Sequence, residues 1–234
     1  VSAGDGLETT LAAFGSGAAA RSIRENLRVM NIDIGGGTSK IAVCENGEIV
    51  EMTAIDVGAR ILSFDAEGKI VRIEEAARRF AAEVGLTLDM GAKPDEAKLD
   101  AMIERMAERL MEAVSVQKLS AETASLLRVD PLKNEKKPDA VTFSGGVSEY
   151  IYNRQETAFG DLGPRLARAI KARVDAWGVR IARPDEGIRA TVVGASQYTI
   201  QVSGSTIFVS PLDVLPKRNI PVIVRISDVN DNAP

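Results

Sequence analysis

NIDIGGGTSKIAV, residues 31–43, brings an aspartate to the end of an apolar run and follows it with three glycines. Upstream, residues 28–34 alternate and are β-branched at Val29, Ile32 and Ile34, which predicts a strand. Downstream, residues 39–44 alternate again, with Ile41 and Val43 on one face. Asn46-Gly47 predicts a tight hairpin, because both residues tolerate positive φ, and residues 48–55 return as a third strand. The unit is strand, glycine turn, strand, turn, strand.

Such a turn has specific chemistry. Without side chains, Gly35, Gly36 and Gly37 can press their N–H groups against an oxyanion. Thr38 and Ser39 add hydroxyl donors. Asp33 would repel phosphate, so its natural role is to hold Mg²⁺, which accepts one or two carboxylates beside phosphate oxygens and water. The stretch is not a P-loop: G-x-x-x-x-G-K-[ST] is absent and a strand follows, which places Lys40 in that strand. It is not the dinucleotide G-x-G-x-x-G fingerprint either. A glycine-rich hairpin that binds nothing is the plain alternative.

Further along, residues 140–143 predict a short strand that ends in Ser144-Gly145-Gly146, with a helix expected to begin at once. Glycines there let a flat ring or a ribose approach the backbone, and a helix N-terminus favours anions. An ordinary strand-to-helix turn would need glycine as well.

The remaining pattern is α/β. Residues 7–20 are rich in small side chains and read equally as a close helix crossing or as a frayed Ala-rich helix. An amphipathic helix is predicted over 73–84, with Ile73, Ala76, Ala77, Phe80 and Val84 on one face. A second is predicted over 95–114, with Pro94 at its start and Leu99, Met102, Ile103, Met106, Leu110 and Val114 as its stripe. Its methionines read as core filler. Residues 133–138 form a polar loop. A helix over 161–177 starts near Asp161 and Pro164, with Leu162, Leu166, Ile170, Val174 and Trp177 on its apolar side. Strands are expected at 179–182 and 206–209, and a helix at 187–201.

Composition narrows the chemistry. The chain has 234 residues, 45% of them hydrophobic, and a net charge of −4. That balance gives no electrostatic footprint for nucleic acid. No run of about 18 apolar residues exists, so no membrane span is expected. Histidine is absent, which removes a Ser-His-Asp triad and any His-metal site from this chain. The single cysteine, Cys44, excludes an intrachain disulfide and reads as a small core side chain.

The two glycine turns together, D-[IL]-G-G-G-T after a strand and a later strand–Gly-Gly–helix, resemble the second lobe of actin-like ATPases. That group includes actin, sugar kinases and DnaK-type chaperones. Longer stretches are similar to one branch of it: TAIDVGAR (53–60), DAVTFSGGVSEYIY (139–152), RATVVGASQYTIQVSG (189–204) and PLDVLPKRNIPV (211–222). These resemble the reactivating factors of cobalamin-dependent ethanolamine ammonia-lyase, the EutA family.

The resemblance implies an actin-like (ribonuclease H-like) lobe, a mixed sheet flanked by helices, spanning 1–222. It carries an inserted helical subdomain at about 60–130 and a tail at 223–234. It implies ATP and Mg²⁺ as cofactors, with Asp33 on the metal and no catalytic side chain in this lobe. Gly35, Gly36, Gly37, Thr38 and Ser39 would hold phosphate. Gly145, Gly146 and Ser148 would meet adenosine, with Glu149 and Tyr150 as further nucleoside contacts. Asp56 and Arg60 either shape the cleft or make ordinary surface pairs. The segments 7–20 and 190–197 would be the two interlobe connecting helices.

The implied function is chaperone-like. A reactivating factor binds ethanolamine ammonia-lyase that has inactivated itself and uses ATP and Mg²⁺ to release the damaged cobalamin. The implied setting is cytoplasmic, with a bacterial microcompartment as its context, and no membrane or nucleic-acid partner. The alternatives are a sugar-kinase-like phosphotransferase and a filament-forming scaffold. Because only six residues precede the first expected connecting helix, the first lobe is expected to be missing from this stretch, which would then bind nucleotide weakly and hydrolyse it poorly or not at all. The end, DVNDNAP (228–234), reads like a calcium linker of a cadherin repeat. The rest of the sequence is no Greek-key sandwich, so a loose tail is expected there.

Overall fold

Each apolar run around Asp33 becomes a strand of one sheet in the computed structural model, which describes residues 4–115, 118–133 and 136–202, with side chains to Gln197. In chain order the elements are α1 (Asp5–Gly15), α2 (Ala18–Arg24), β1 (Val29–Ile34), β2 (Ser39–Glu45), β3 (Glu48–Ile55), β4 (Leu62–Phe64) and β5 (Ile70–Ile73). Then follow α3 (Glu75–Glu83), α4 (Glu96–Val114), α5 (Ala121–Ala124), β6 (Ala140–Ser144), α6 (Ser148–Ile151), α7 (Gly163–Trp177), β7 (Arg180–Ile181) and α8 (Ala190–Val202). The expected strand at 206–209 and the tail at 223–234 lie outside the described residues.

The main sheet has the order β3-β2-β1-β6-β7. The first three strands pair antiparallel, while β6 joins β1, and β7 joins β6, in parallel. The sheet is therefore mixed, as expected. Asn46 and Gly47 both take positive φ, 50° and 86°, which is the two-residue hairpin that the pair predicts.

The two faces of the sheet differ in kind. Met30, Ile32, Ile34, Ile41, Val43 and Phe143 point into the main core. That core is completed by Phe80 from α3, the α4 stripe and the buried side of α7. Full burial of a side chain such as Phe80 stabilises by roughly 1.5–3 kcal/mol. The opposite face is narrower. Val29, Ala42 and Cys44 pack there against Ala13, Ala18 and Ala19 of α1 and α2. Burial pushes the Cys44 thiol up to about 12, so it serves as a core side chain.

Several local expectations are adjusted. Pro94 lies before the helix: Asp95 is the N-cap of α4, and its side chain accepts from the Lys98 N–H. Helix α3 starts at Glu75, and Ile73 belongs to β5, which pairs with β4. The helix expected after Ser144-Gly145-Gly146 is only the four-residue α6, so no helix N-terminal anion site exists there. Asn153, at φ 54°, turns the chain away just beyond it.

The segment 7–20 takes the close-crossing form. Gly17, at φ 78°, separates α1 from α2. Helix α8 crosses α1 so closely that a Cβ on Gly194 would sit 1.8 Å from the Leu11 carbonyl oxygen. A Cβ on Gly15 would sit 1.7 Å from the Ala190 carbonyl oxygen. Gly194→Ala should therefore lower the unfolding free energy by about 1–3 kcal/mol, the cost of overpacking. Gly146→Ala, where a Cβ meets nothing within 4 Å, should leave it unchanged. Urea denaturation of both variants checks the contrast; equal stabilities would contradict the crossing.

Candidate functional site

β1 and β6 run parallel and in register, Asp33 beside Ser144, so both glycine turns leave the same edge of the sheet. Ligand crevices in open α/β sheets lie outside the carboxyl ends of strands. The turns are bonded to each other, since the Val147 N–H donates to the Ile34 carbonyl (3.3 Å). Gly145 makes this possible. Its φ is 78°, and a Cβ there would fall 2.4 Å from the Ile34 oxygen.

Between the turns opens a cleft of about 330 Å³. Gly35 and Gly36 line it from the first turn, and Gly146, Glu149 and Tyr150 from the second. Arg60 and Asp161 complete its polar wall. The first turn is braced from behind: Ala59 N–H donates to the Gly35 carbonyl (3.0 Å) and Arg60 N–H to that of Gly36 (2.6 Å). Glu149 lies between the Ile188 N–H (3.2 Å) and the Arg154 guanidinium (3.9 Å). Tyr150 donates its hydroxyl to the Thr157 carbonyl (2.8 Å). Burial, and then the Asp161 charge, raise the pKa of that phenol.

Other candidates take different places. Gly37 and Thr38 complete the first turn without lining the cleft. Thr38 Oγ1 accepts from Lys40 Nζ (3.0 Å), and a Cβ on Gly37 would lie 3.5 Å from Glu74 Oε2. Ser39 is buried and donates to the Val57 carbonyl (2.7 Å). Ser148 is buried and donates to the Gly145 carbonyl (2.7 Å). Both hydroxyls brace the turns from inside. Asp56 pairs with Arg128 (3.1 Å), apart from the cleft lining.

Asp33 sits behind the first turn, on the face covered by α1, and is 7% exposed. Ser144 Oγ donates to its Oδ1 (2.6 Å). A hydrogen-bonded row continues behind it, with Asn31 Nδ2 donating to Ser144 (3.0 Å) and Thr142 to Asn31 Oδ1 (2.9 Å). Burial raises the Asp33 pKa, against the Ser144 hydrogen bond and the Lys40 charge; Glu8 raises it further. Lys40, opposite Asp33 in β2, is ion-paired to Glu8 of α1 (2.7 Å). No described residue donates to Asp33 Oδ2. A single carboxylate with one free oxygen at a glycine turn fits a cation that takes its other ligands from phosphate and water. Among the described residues there is no group of three or more acidic or Cys side chains placed to hold a metal unaided.

Sequence reasoning did not single out Gln155, Phe159, Asp161 and Ile188 as cleft residues. Phe159 and Ile188 are 58% and 63% exposed, and large exposed apolar side chains beside Gly146 were a signal available only once the loops were placed.

The model of the ethanolamine utilisation protein EutA family matches residues 1–233, and the chain belongs to that family. It is 35% identical over 232 residues to the ethanolamine ammonia-lyase reactivase EutA of Salmonella typhimurium, covering 98% of this chain and 49% of that protein. It is 34% identical over 237 residues to the Escherichia coli reactivase of the same name, with the same coverage. The chain thus spans about half the length of the curated relatives it matches. Among solved structures, MreB 5 of Spiroplasma citri bound to AMPPNP aligns with a TM-score of 0.42 and 16% identity, over 84% of this chain and 59% of that one. That likeness is too loose to bear on function.

The buried charge of Asp33 has a testable consequence. An acid whose folded pKa is raised binds its proton more readily in the folded state, so ionisation above its ordinary pKa weakens the fold. Asp33→Asn should therefore raise the denaturation midpoint at neutral pH. The gain should shrink as pH falls through the raised pKa, where the wild-type side chain is already neutral. Urea midpoints from pH 4 to 8 check this; a gain independent of pH would contradict it.

Proposed function

We propose that this EutA-family chain is the nucleotide-binding lobe of a reactivating factor for ethanolamine ammonia-lyase, actin-like in fold. On this reading it takes ATP with Mg²⁺ in the cleft between its two glycine turns. The observation that carries the proposal is the meeting of those turns, whose strands lie in register although Asp33 and Ser144 are 111 residues apart.

In this reading the residues divide the ligand. Gly35 and Gly36 would bring the backbone of the first turn up to phosphate where it lines the cleft. The Gly35 N–H is already bonded to the Thr38 carbonyl (3.0 Å), so Gly37 and Thr38 would serve by closing that turn and reach only a phosphate that extends past the cleft wall. Gly146 leaves open space for the nucleoside, with Glu149 and Tyr150 beside it. Asp33 Oδ2 would hold Mg²⁺, which neutralises phosphate charge when bound. Ser39, Ser148 and Gly145 keep the two turns in shape, and none of these groups is asked to make or break a bond. The segments 1–222 and 223–234 would be lobe and tail, with 60–130 as the inserted subdomain.

The reactivating role is supported by family membership and by the names of the relatives, which are about twice this length. A nucleotide that grips two lobes favours one lobe angle, and loss of a phosphate shifts that population. Such a change can loosen a partner's hold on a damaged cobalamin. The setting would be the cytoplasm, in association with a microcompartment. Among the described residues no helix is long and apolar enough to cross a membrane.

Calorimetric titration with ATP should show binding that requires Mg²⁺. Asp33→Ala should weaken MgATP by about tenfold or more, the scale of losing one contact to a charged group. It should leave Mg-free adenosine unaffected. For the partner, the longer protein plus MgATP should restore activity to ethanolamine ammonia-lyase blocked by a cobalamin lacking its adenosyl group. No binding by a chain shown to be folded would remove the nucleotide reading, and no recovery of the lyase would remove the partner.

A further inference from the structure

The nucleotide reading uses backbone N–H groups and one acidic side chain, yet the cleft is not favourable to an anion. Of the charged side chains lining it, Glu149 and Asp161 are carboxylates, and Arg60 is the one cation among the described residues. Arg60, in the segment between β3 and β4, is bonded to the first glycine turn through its backbone. Its N–H donates to the Gly36 carbonyl (2.6 Å), and a Cβ on Gly36 would lie 3.4 Å from Arg60 Cβ.

Asp161 aims the guanidinium. Its Oδ2 accepts from Arg60 Nε (3.2 Å), and its Oδ1 accepts from the Gly163 N–H (2.9 Å). The Asp161 side chain is 8% exposed, against 59% for that of Arg60. Both are held by backbone. Leu162 N–H donates to the Ala59 carbonyl (2.9 Å) and Phe64 N–H to that of Gly160 (2.7 Å). Gly160, at φ 66°, permits this, since a Cβ there would fall 2.4 Å from the Phe64 oxygen. The loop before α7 is thus laced to β4 and the segment leading into it on both sides of the ion pair.

An ordinary surface ion pair would satisfy both partners. Here both Asp161 oxygens are occupied, whereas no described residue accepts from Arg60 Nη1 or Nη2. A guanidinium whose Nε is pinned presents its remaining N–H groups as a planar fork, the geometry that suits a phosphate. From these observations we infer that Arg60 is the side chain that binds the phosphate chain of the ligand in this cleft, and that Asp161 is its positioning residue. The inference rests on the nucleotide reading and assigns a part of it that the glycine turns leave open. Arg60 would offset the carboxylates of the cleft wall and tell a phosphorylated nucleoside from a bare one.

The test compares MgATP, MgADP and adenosine on the same chain by calorimetry. Arg60→Ala should weaken MgATP and MgADP by about tenfold, or about 1.4 kcal/mol, and leave adenosine unchanged. Arg60→Lys should recover part of the loss, because the charge stays and the fork goes. Asp161→Asn keeps an oxygen for the Gly163 N–H but replaces the Arg60 acceptor with a donor. It should weaken the two phosphorylated ligands and spare adenosine, a split that a merely destabilised loop would not give. Equal losses for all three ligands, or an Arg60→Ala variant that binds MgATP as the parent does, would overturn the inference while leaving the nucleotide reading intact. A parent chain that binds none of the three would overturn both.

Discussion

The approach of Gly145 to the end of β1 makes one site out of two distant turns. Any side chain there would meet the Ile34 carbonyl, and φ lies where L-residues are strained. Because that contact is closed, β6 can run beside β1 in full register and the Val147 N–H can reach Ile34. The edge of the sheet then carries Gly35 and Gly36 on one side and Gly146 on the other. Without that approach, each turn would be an ordinary loop at its own strand end.

Electrostatics then set what the site can hold. The carboxylates near the turns are each committed differently. Glu149 is held by a backbone N–H and an arginine, and Asp161 by an arginine and a helix start. Asp33 has, among the described residues, one hydrogen-bond donor for its buried charge, the Ser144 hydroxyl, and the lysine opposite it, Lys40, is ion-paired to Glu8. Burial outweighs the Ser144 hydrogen bond and the Lys40 charge, which is why its pKa rises. A divalent cation at the free oxygen would reverse that penalty, so the same residue that strains the empty fold favours a metal-bearing ligand. Binding and stability are opposed at this position, as at many functional sites.

Much of this was legible because it is local. Alternation located β1, β2 and β3, the Asn46-Gly47 pair specified its turn, and the α4 stripe lies buried residue by residue. Strands β4 and β5 were missed because three or four residues carry too little alternation, and Ile73 was absorbed into a helical pattern instead. In the site, residue types were readable but directions were not. Ser39 and Ser148 have the right hydroxyls, yet both point inward, Ser39 to the Val57 carbonyl beside its strand and Ser148, at the start of α6, back to the Gly145 carbonyl. Arg60 was visible as a polar residue, but its partner lies 101 residues away, across a pairing that only the fold creates.

The same reasoning explains why α1 cannot move alone. Glu8 grips Lys40, which also holds the Thr38 hydroxyl at the turn. Three residues earlier, Asp5 grips Arg128, which also holds Asp56. On its other side α1 meets α8 with no room for a methyl group at Gly15 or Gly194. Packed elements of this kind shift between discrete arrangements and do not deform smoothly. Displacing α1 must therefore either break the Glu8–Lys40 pair or carry Lys40 and Thr38 with it.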